Sequence, residues 1–198
     1  MYYYSKRILD VFVSAAAVVL LMPVYIIIVM IILLTSGAPV FFYQERIGQN
    51  WKPFRIIKFR TMVKNADKIG LGITSASDER ITPAGRILRK YKLDELPQFI
   101  NVLKGDMSLI GPRPELLKYI NFYREDYSAI LNIKPGITDY AAIKFRDEES
   151  LLVKSNKEES YINKILPSKI ILYKRYLNEM GFLTDVKILL NTVKVIIL

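Results

Sequence analysis

"VFVSAAAVVLLMPVYIIIVMIILL", residues 11–34, carries no charged side chain and one clearly polar one, Ser14. A run of this length is long enough to be a membrane helix. It does not read as a cleavable signal: Asp10 adjoins it, no small-residue cleavage site is clear, and it is too long. Pro23, near its middle, removes a backbone donor and clashes with the preceding turn, so a kink or break is expected there. Lys6 and Arg7 precede the run; Arg46, Lys52, Arg55, Lys58 and Arg60 follow it. The positive-inside tendency places both flanks in the cytoplasm. A helix broken at Pro23 that returns to the same face satisfies that, and a kinked single span is the alternative.

Working outward, residues 40–62 hold two β-prone runs, Val40–Arg46 and Phe54–Met62, around the turn-rich Gly48-Gln49-Asn50. They read as a β-hairpin with a loop longer than two residues. Residues 63–80 are polar and glycine-containing and read as a loop with one helical turn. Thr82 followed by Pro83 starts a helix. "DELPQFINVLKG" (94–105) reads as the next helix, capped by Asp94 and closed by Lys104-Gly105. "GDMSLIGPRPE" reads as an ordered loop and Glu115–Leu131 as a helix. "KPGITDYAAIKFRDEE" (134–149) reads as a turn and a short extended piece. Apolar residues at 182, 186, 189, 190, 193 and 197 oppose a stripe of Thr184, Lys187, Asn191 and Lys194. That pattern is an amphipathic C-terminal helix, suited to a core or to a membrane interface.

The fold expected is therefore α+β and mainly helical. Residues 1–39 form the membrane-embedded re-entrant hairpin, and residues 40–198 a compact cytoplasmic domain of helices around a small β-hairpin.

Composition narrows the chemistry. The 198 residues carry a formal charge of +10 and contain neither cysteine nor histidine. Disulfides, thiol nucleophiles, Cys/His zinc sites and Ser–His systems are excluded. Acids, bases and nucleophiles must come from Asp, Glu, Lys, Tyr, Ser or Thr, and any metal would sit on oxygen, as magnesium does. The basic balance predicts anionic partners. Nucleic acid is a poor fit, because no nucleic-acid module is visible.

Against this background Asp94 and Glu95 stand out. Arg86, Arg89, Lys90 and Lys92 lie just upstream, and Lys104 and Arg113 downstream. The two acids can serve as a helix cap and its neighbour. They can also work: nearby cations lower a carboxylate pKa and hold Asp94 ionised. An ionised Asp is a nucleophile at phosphorus, and Glu95 can share a magnesium ion with it while arginines clamp phosphate charge.

"KFRTM" (58–62), "ITPAGRILRKYKLDELPQFINVLKGDMSLIGPRP" (81–114) and "KPGIT" (134–138) resemble the bacterial sugar transferase family, the small monotopic phosphoglycosyl transferases. The resemblance covers nearly the whole chain. It implies transfer of a sugar-1-phosphate from a UDP-sugar to undecaprenyl phosphate, with release of UMP, at the cytoplasmic face of the bacterial inner membrane. It implies Asp94 as the nucleophile of a covalent phospho-sugar intermediate, Glu95 as its partner, and Mg2+ held by both. Arg89 and Arg113 would contact phosphate. Lys58, Arg60 and Arg146 are further phosphate candidates, Lys58 and Arg60 having a solvated strand face as the alternative. The chain's length suggests the minimal catalytic unit of the family. The oligomeric state is open, a dimer being one option.

Two departures matter. Met22-Pro23 stands where the family often has Ser-Pro, and "DYAAIKFRDEE" stands where many relatives carry a Gly-Trp-Ala-Gln-like run. A non-catalytic, membrane-anchored protein that gathers anionic lipids remains the rival reading.

Overall fold

The computed structural model describes residues 2–66, 74, 75, 78–152 and 156–197. The apolar run forms two helices, α1 (Tyr2–Leu20) and α2 (Met22–Ser36), bent by 59° at Leu21. Pro23 lies in the first turn of α2 and has no N–H to offer the preceding turn, which accounts for the break. The regular bonds Leu21 N–H to Ala17 O and Tyr25 N–H to Leu21 O survive at 2.9 Å each, so the disruption is local. Among the described residues no single helix is long and apolar enough to cross a membrane; the bent pair together is.

Both helices are fastened to the rest of the chain. On α2, Tyr25, Ile28 and Ile32 recur at helical spacing and pack with Phe59 and Leu88. On α1, Arg7 donates to the carbonyls of Val102 (2.7 Å) and Leu103 (3.1 Å), and buried Asp10 accepts from Leu109 N–H at 3.1 Å. A cation on the last carbonyls of a helix is favourable for both hydrogen bonding and the dipole. The opposite faces are bare: Phe12, Leu20, Ile26, Ile27 and Leu34 are exposed.

The hairpin forms as expected, from β1 (Phe41–Ile47) and β2 (Pro53–Phe59), paired from Phe41 opposite Phe59 to Ile47 opposite Pro53. The second strand ends three residues before the expected Met62. The loop expected over 63–80 lies partly outside the described residues; Val63 N–H and Arg80 O join its ends at 2.9 Å.

Helix α3 (Pro83–Lys90) starts as its sequence predicts, with Thr82 Oγ1 accepting from Gly85 N–H at 3.0 Å. Asp94, by contrast, caps no helix. It sits in a 3-10 turn, Leu93–Glu95, and helix α4 (Gln98–Lys104) begins after Pro97. The reason lies in the same motif. A capping side chain bonds the N–H two or three residues on, and three residues beyond Asp94 is Pro97, which has none. Gly105, at φ 93°, closes α4 as expected by donating to Asn101 O and Val102 O.

The two segments read as loop and turn instead pair with each other. Strands β3 (Ser108–Ile110) and β4 (Gly136–Thr138) run parallel. Their backbones approach closely: a Cβ on Gly136 would stand 2.1 Å from Gly111 N. Three residues are too few to show strand alternation, so the pair was not legible in sequence. The helix expected over 115–131 is interrupted by a 3-10 turn, Asn121–Tyr123, between Leu117–Ile120 and α5 (Arg124–Ile130). The extended piece expected after 138 is instead helical. Asp139 Oδ1 accepts from Ala142 N–H at 2.6 Å and starts α6 (Tyr140–Lys144), and a helical turn, Glu148–Leu151, follows.

Helices α7 (Leu166–Glu179) and α8 (Phe182–Ile197) complete the chain. The core around Tyr119, Tyr127, Leu166 and Tyr173 lies beneath α7. A second, around Val102, Met107, Tyr176 and Ile188, joins α4, β3, α7 and α8. Asp185 on α8 accepts from Tyr2, Lys6 and Tyr176, tying the two ends of the chain together.

Candidate active site

Asp94 and Glu95 are consecutive on a 3-10 turn, where one step rotates a side chain by roughly 120°. The two carboxylates therefore face different surroundings. Glu95 accepts from Lys58 Nζ on β2 at 2.8 Å and from both terminal nitrogens of Arg113, one of them at 2.9 Å. Asp94 is buried and its Oδ1 has no hydrogen-bond partner.

Their acidities separate accordingly. Burial pushes the Asp94 carboxyl up to about 6, and the neighbouring Glu95 charge adds to this; Lys58, Arg89 and Lys92 oppose it without prevailing. Burial would raise Glu95 too, but the charges and hydrogen bonds of Arg113 and Lys58 hold it well below the ordinary carboxylate range. The cations lower the Asp94 pKa as expected, but burial outweighs them and the net shift is upward. At neutral pH a carboxyl with a pKa near 6 is still about nine-tenths ionised, and more basic than an ordinary Asp. Lys58 is lowered by its own burial, partly offset by Glu95.

Backbone devices hold this arrangement. Asn101, fully buried on α4, accepts from Ile57 N–H at 3.0 Å and donates to Arg55 O at 2.8 Å. It acts as a rung on the open edge of β2 and sets Lys58 against the Asp94-Glu95 turn. The close β3–β4 pairing carries the Gly111–Pro114 loop, with Gly111 N–H on Thr138 O and Gly136 N–H on Pro112 O at 3.0 Å each. That loop presents Arg113.

Arg89 acts on Asp94 through its charge. Its own bonds go to Thr61 Oγ1 at 3.0 Å and Glu149 Oε1 at 2.9 Å. Arg60 and Arg146 border the same cleft but are bonded at its two ends. Arg60 donates to the carbonyls of Ser36 and Gly37, at the end of α2; Arg146 donates to those of Val195 and Ile196, at the end of α8. The structure thus brings Asp94, Glu95, Lys58 and Arg113 together, keeps Arg89 beside them, and bonds Arg146 and Nη2 of Arg60 to helix ends, with Arg60 Nε and Nη1 buried without a partner among the described residues. The cleft they share has a volume of about 1240 Å³. Asn101, Thr61 and Glu149 were not singled out in the sequence, where a buried amide, a strand-end threonine and one acid in a run of three carry no signal of their own.

For a magnesium-like ion, Asp94 Oδ1 is a hard oxygen without a partner, and so fits. Glu95 has both oxygens engaged and reaches a metal only by releasing a cation. Among the described residues no group of three or more carboxylates is placed to hold a metal ion together.

Fold and site together define a carboxylate–cation cleft suited to phosphate chemistry, carried beside a bent apolar helix pair. Residues 1–198 match the family described as bacterial sugar transferase, and the chain belongs to that family. It is 42% identical over 159 residues to the uncharacterized sugar transferase EpsL of Bacillus subtilis, a match covering 80% of this chain and 70% of EpsL. It is 38% identical to the UDP-N-acetylgalactosamine-undecaprenyl-phosphate N-acetylgalactosaminephosphotransferase of Aeromonas hydrophila, over 72% of this chain and 34% of that one. To the UDP-glucose:undecaprenyl-phosphate glucose-1-phosphate transferase of Escherichia coli it is 39% identical, over 80% of this chain and 32% of the other. The match therefore spans about a third of the length of these two transferases.

Proposed function

We propose that this protein transfers a sugar-1-phosphate from a UDP-sugar to undecaprenyl phosphate through a covalent intermediate on Asp94. The observation that carries the proposal is the buried Asp94 carboxyl, raised to about 6 and with Oδ1 unpartnered, in a cleft where Lys58, Arg113 and Arg89 are held by other acids. In the first displacement an Asp94 oxygen attacks the phosphorus bearing the sugar. The bond from that phosphorus to the bridging oxygen breaks, and UMP leaves with the electron pair. In the second, an oxygen of undecaprenyl phosphate attacks the same phosphorus, and the aspartyl–phosphorus bond breaks to regenerate Asp94. Arg89 and Arg113 would balance phosphate charge, with Lys58 adding to it. Asp94, with phosphate oxygens of the substrate, would hold Mg2+, which when bound would neutralise further charge.

The bent helix pair suits a re-entrant insertion on the cytoplasmic side. Its 19 and 15 residues are about 28 and 22 Å long, so at a 59° bend with both outer ends level the apex lies about 12 Å deep, under half the hydrocarbon thickness. Support comes from both ends being fastened to the same body, by Arg7 and Asp10 at one end and Arg60 at the other.

The test is UMP release from membranes supplied with Mg2+, undecaprenyl phosphate and a panel of UDP-sugars. Release that depends on one donor and vanishes with Asp94→Asn is expected, together with a sugar phosphate on Asp94 by mass spectrometry. Absence of UMP with every donor, while the folded protein retains anionic vesicles, would favour the lipid-gathering reading.

A further inference from the structure

The segment "DYAAIKFRDEE" (139–149) brings two acids to the cleft, Glu148 and Glu149. Glu148 pairs with buried Lys169 on α7. Glu149, one residue on, pairs at 2.9 Å with Arg89, which comes from α3, sixty positions earlier in the chain. The partners differ in permanence. The Lys169 side chain is 6% exposed and Glu148 25%, whereas Arg89 and Glu149 are 20% and 37% exposed. The first pair is an anchor under the turn; the second reaches water and exchanges readily.

Arg89 is held in place without Glu149. Its Nε bonds Thr61 Oγ1, and α3 is locked to the Thr61 backbone by Thr82 N–H on Thr61 O at 3.0 Å. Glu149 takes up one terminal nitrogen, Nη1, so a diphosphate that grips both terminal nitrogens must displace it.

We propose that Glu149 is an affinity-setting residue of the donor site: its carboxylate stands on Arg89 in the ligand-free protein and is displaced by the diphosphate of the nucleotide sugar. The inference rests on the donor being a nucleoside-diphosphate sugar, and deepens that reading by naming what the donor must compete with. The displaced turn stays tethered through Glu148 and Lys169, so the pair re-forms when the cleft empties. Donor binding then includes breaking one partly exposed ion pair, a cost that keeps affinity below what the cations alone would give.

The experiment is UDP binding by calorimetry to the full chain in nanodiscs, compared for wild type, Glu149→Gln, Arg89→Gln and the double variant, with melting curves for each. The expected result is UDP binding about two- to fivefold tighter in Glu149→Gln than in wild type, the range of a partly exposed ion pair. In the Arg89→Gln background the same change should have no effect. Weaker binding by a folded Glu149→Gln would mean that Glu149 contacts the nucleotide, and unchanged binding would mean that the pair does not compete; either overturns the proposal while leaving the donor reading intact. A folded wild type that binds no UDP would remove both.

Discussion

Lys58 Nζ lies 2.8 Å from Glu95 Oε1, and this half-buried pair, shared with Arg113, joins β2 to the turn that carries Asp94. Losing one member of such a cluster strands the others. Glu95→Gln should destabilise the protein by about 1–3 kcal/mol, because two half-buried cations lose their charged hydrogen-bond partner. The pH dependence has a definite sign. The Glu95 pKa is depressed on folding, so its stabilisation is present above its ordinary value and is lost as pH falls through the depressed one. Denaturant titrations of wild type and Glu95→Gln should differ most near neutrality and converge in acid.

Asp94→Asn should do the opposite to stability while abolishing turnover. The pKa rises from 3.8 to about 6 on folding, so the folded state prefers the protonated acid. Above pH 6 the buried charge costs up to about 3 kcal/mol, and below pH 4 nothing. The Asn variant escapes that cost. It should melt higher than wild type at pH 7, with the gap closing between pH 6 and 4, and its UMP release should fall by about 10³-fold or more. In wild type, the rate at low donor should decline below pH 6 with the loss of one proton-binding carboxylate. A variant that is inactive and less stable at pH 7 would assign Asp94 to the framework instead.

The acids were legible because their sequence context is dense: Asp94, Glu95 and Pro97 stand among six cations from Arg86 to Arg113. The bent pair was legible because a charge-free run with one proline admits few structures. The division of labour between the acids was not. It depends on which side of a 3-10 turn meets β2, and Lys58 is thirty-seven residues away in sequence. The Asp94 cap failed for a local reason, since Pro97 supplies no N–H. The β3–β4 pair stayed hidden because its evidence is two glycines, Gly111 and Gly136, whose need appears only when the strands are side by side.

Asn101 offers a test of how the site is held. Its amide satisfies one N–H and one C=O on the open edge of β2, both beside Lys58. Asn101→Leu leaves these groups buried without partners and should cost about 2–4 kcal/mol. Asn101→Asp retains the Ile57 bond, loses the Arg55 one and sets a new charge near Asp106, so it should be no milder at pH 7. Hydrogen exchange should show the Ile57 amide losing protection in the Leu variant before the rest of the hairpin. Protection unchanged at Ile57 would mean that another acceptor serves that edge.

Gly85→Ala addresses Arg89. A Cβ at this position would stand 2.0 Å from Thr61 O and 2.7 Å from Thr61 C, which are backbone atoms and cannot rotate away. Helix propensity alone favours Ala over Gly by about 1 kcal/mol in a helix, so an exposed site would gain stability from the change. Here overpacking should win, costing about 1–3 kcal/mol or more as α3 moves off the Thr61 backbone. The movement also breaks the register that gives Arg89 its Thr61 bond. The variant should therefore lose donor affinity beyond what its melting temperature explains, measured as UDP binding under conditions where it is fully folded. Ser at 85 should behave like Ala, because the clash comes from Cβ itself. A Gly85→Ala protein as stable as wild type, with unchanged UDP binding, would show that α3 can shift without carrying Arg89 away from Asp94.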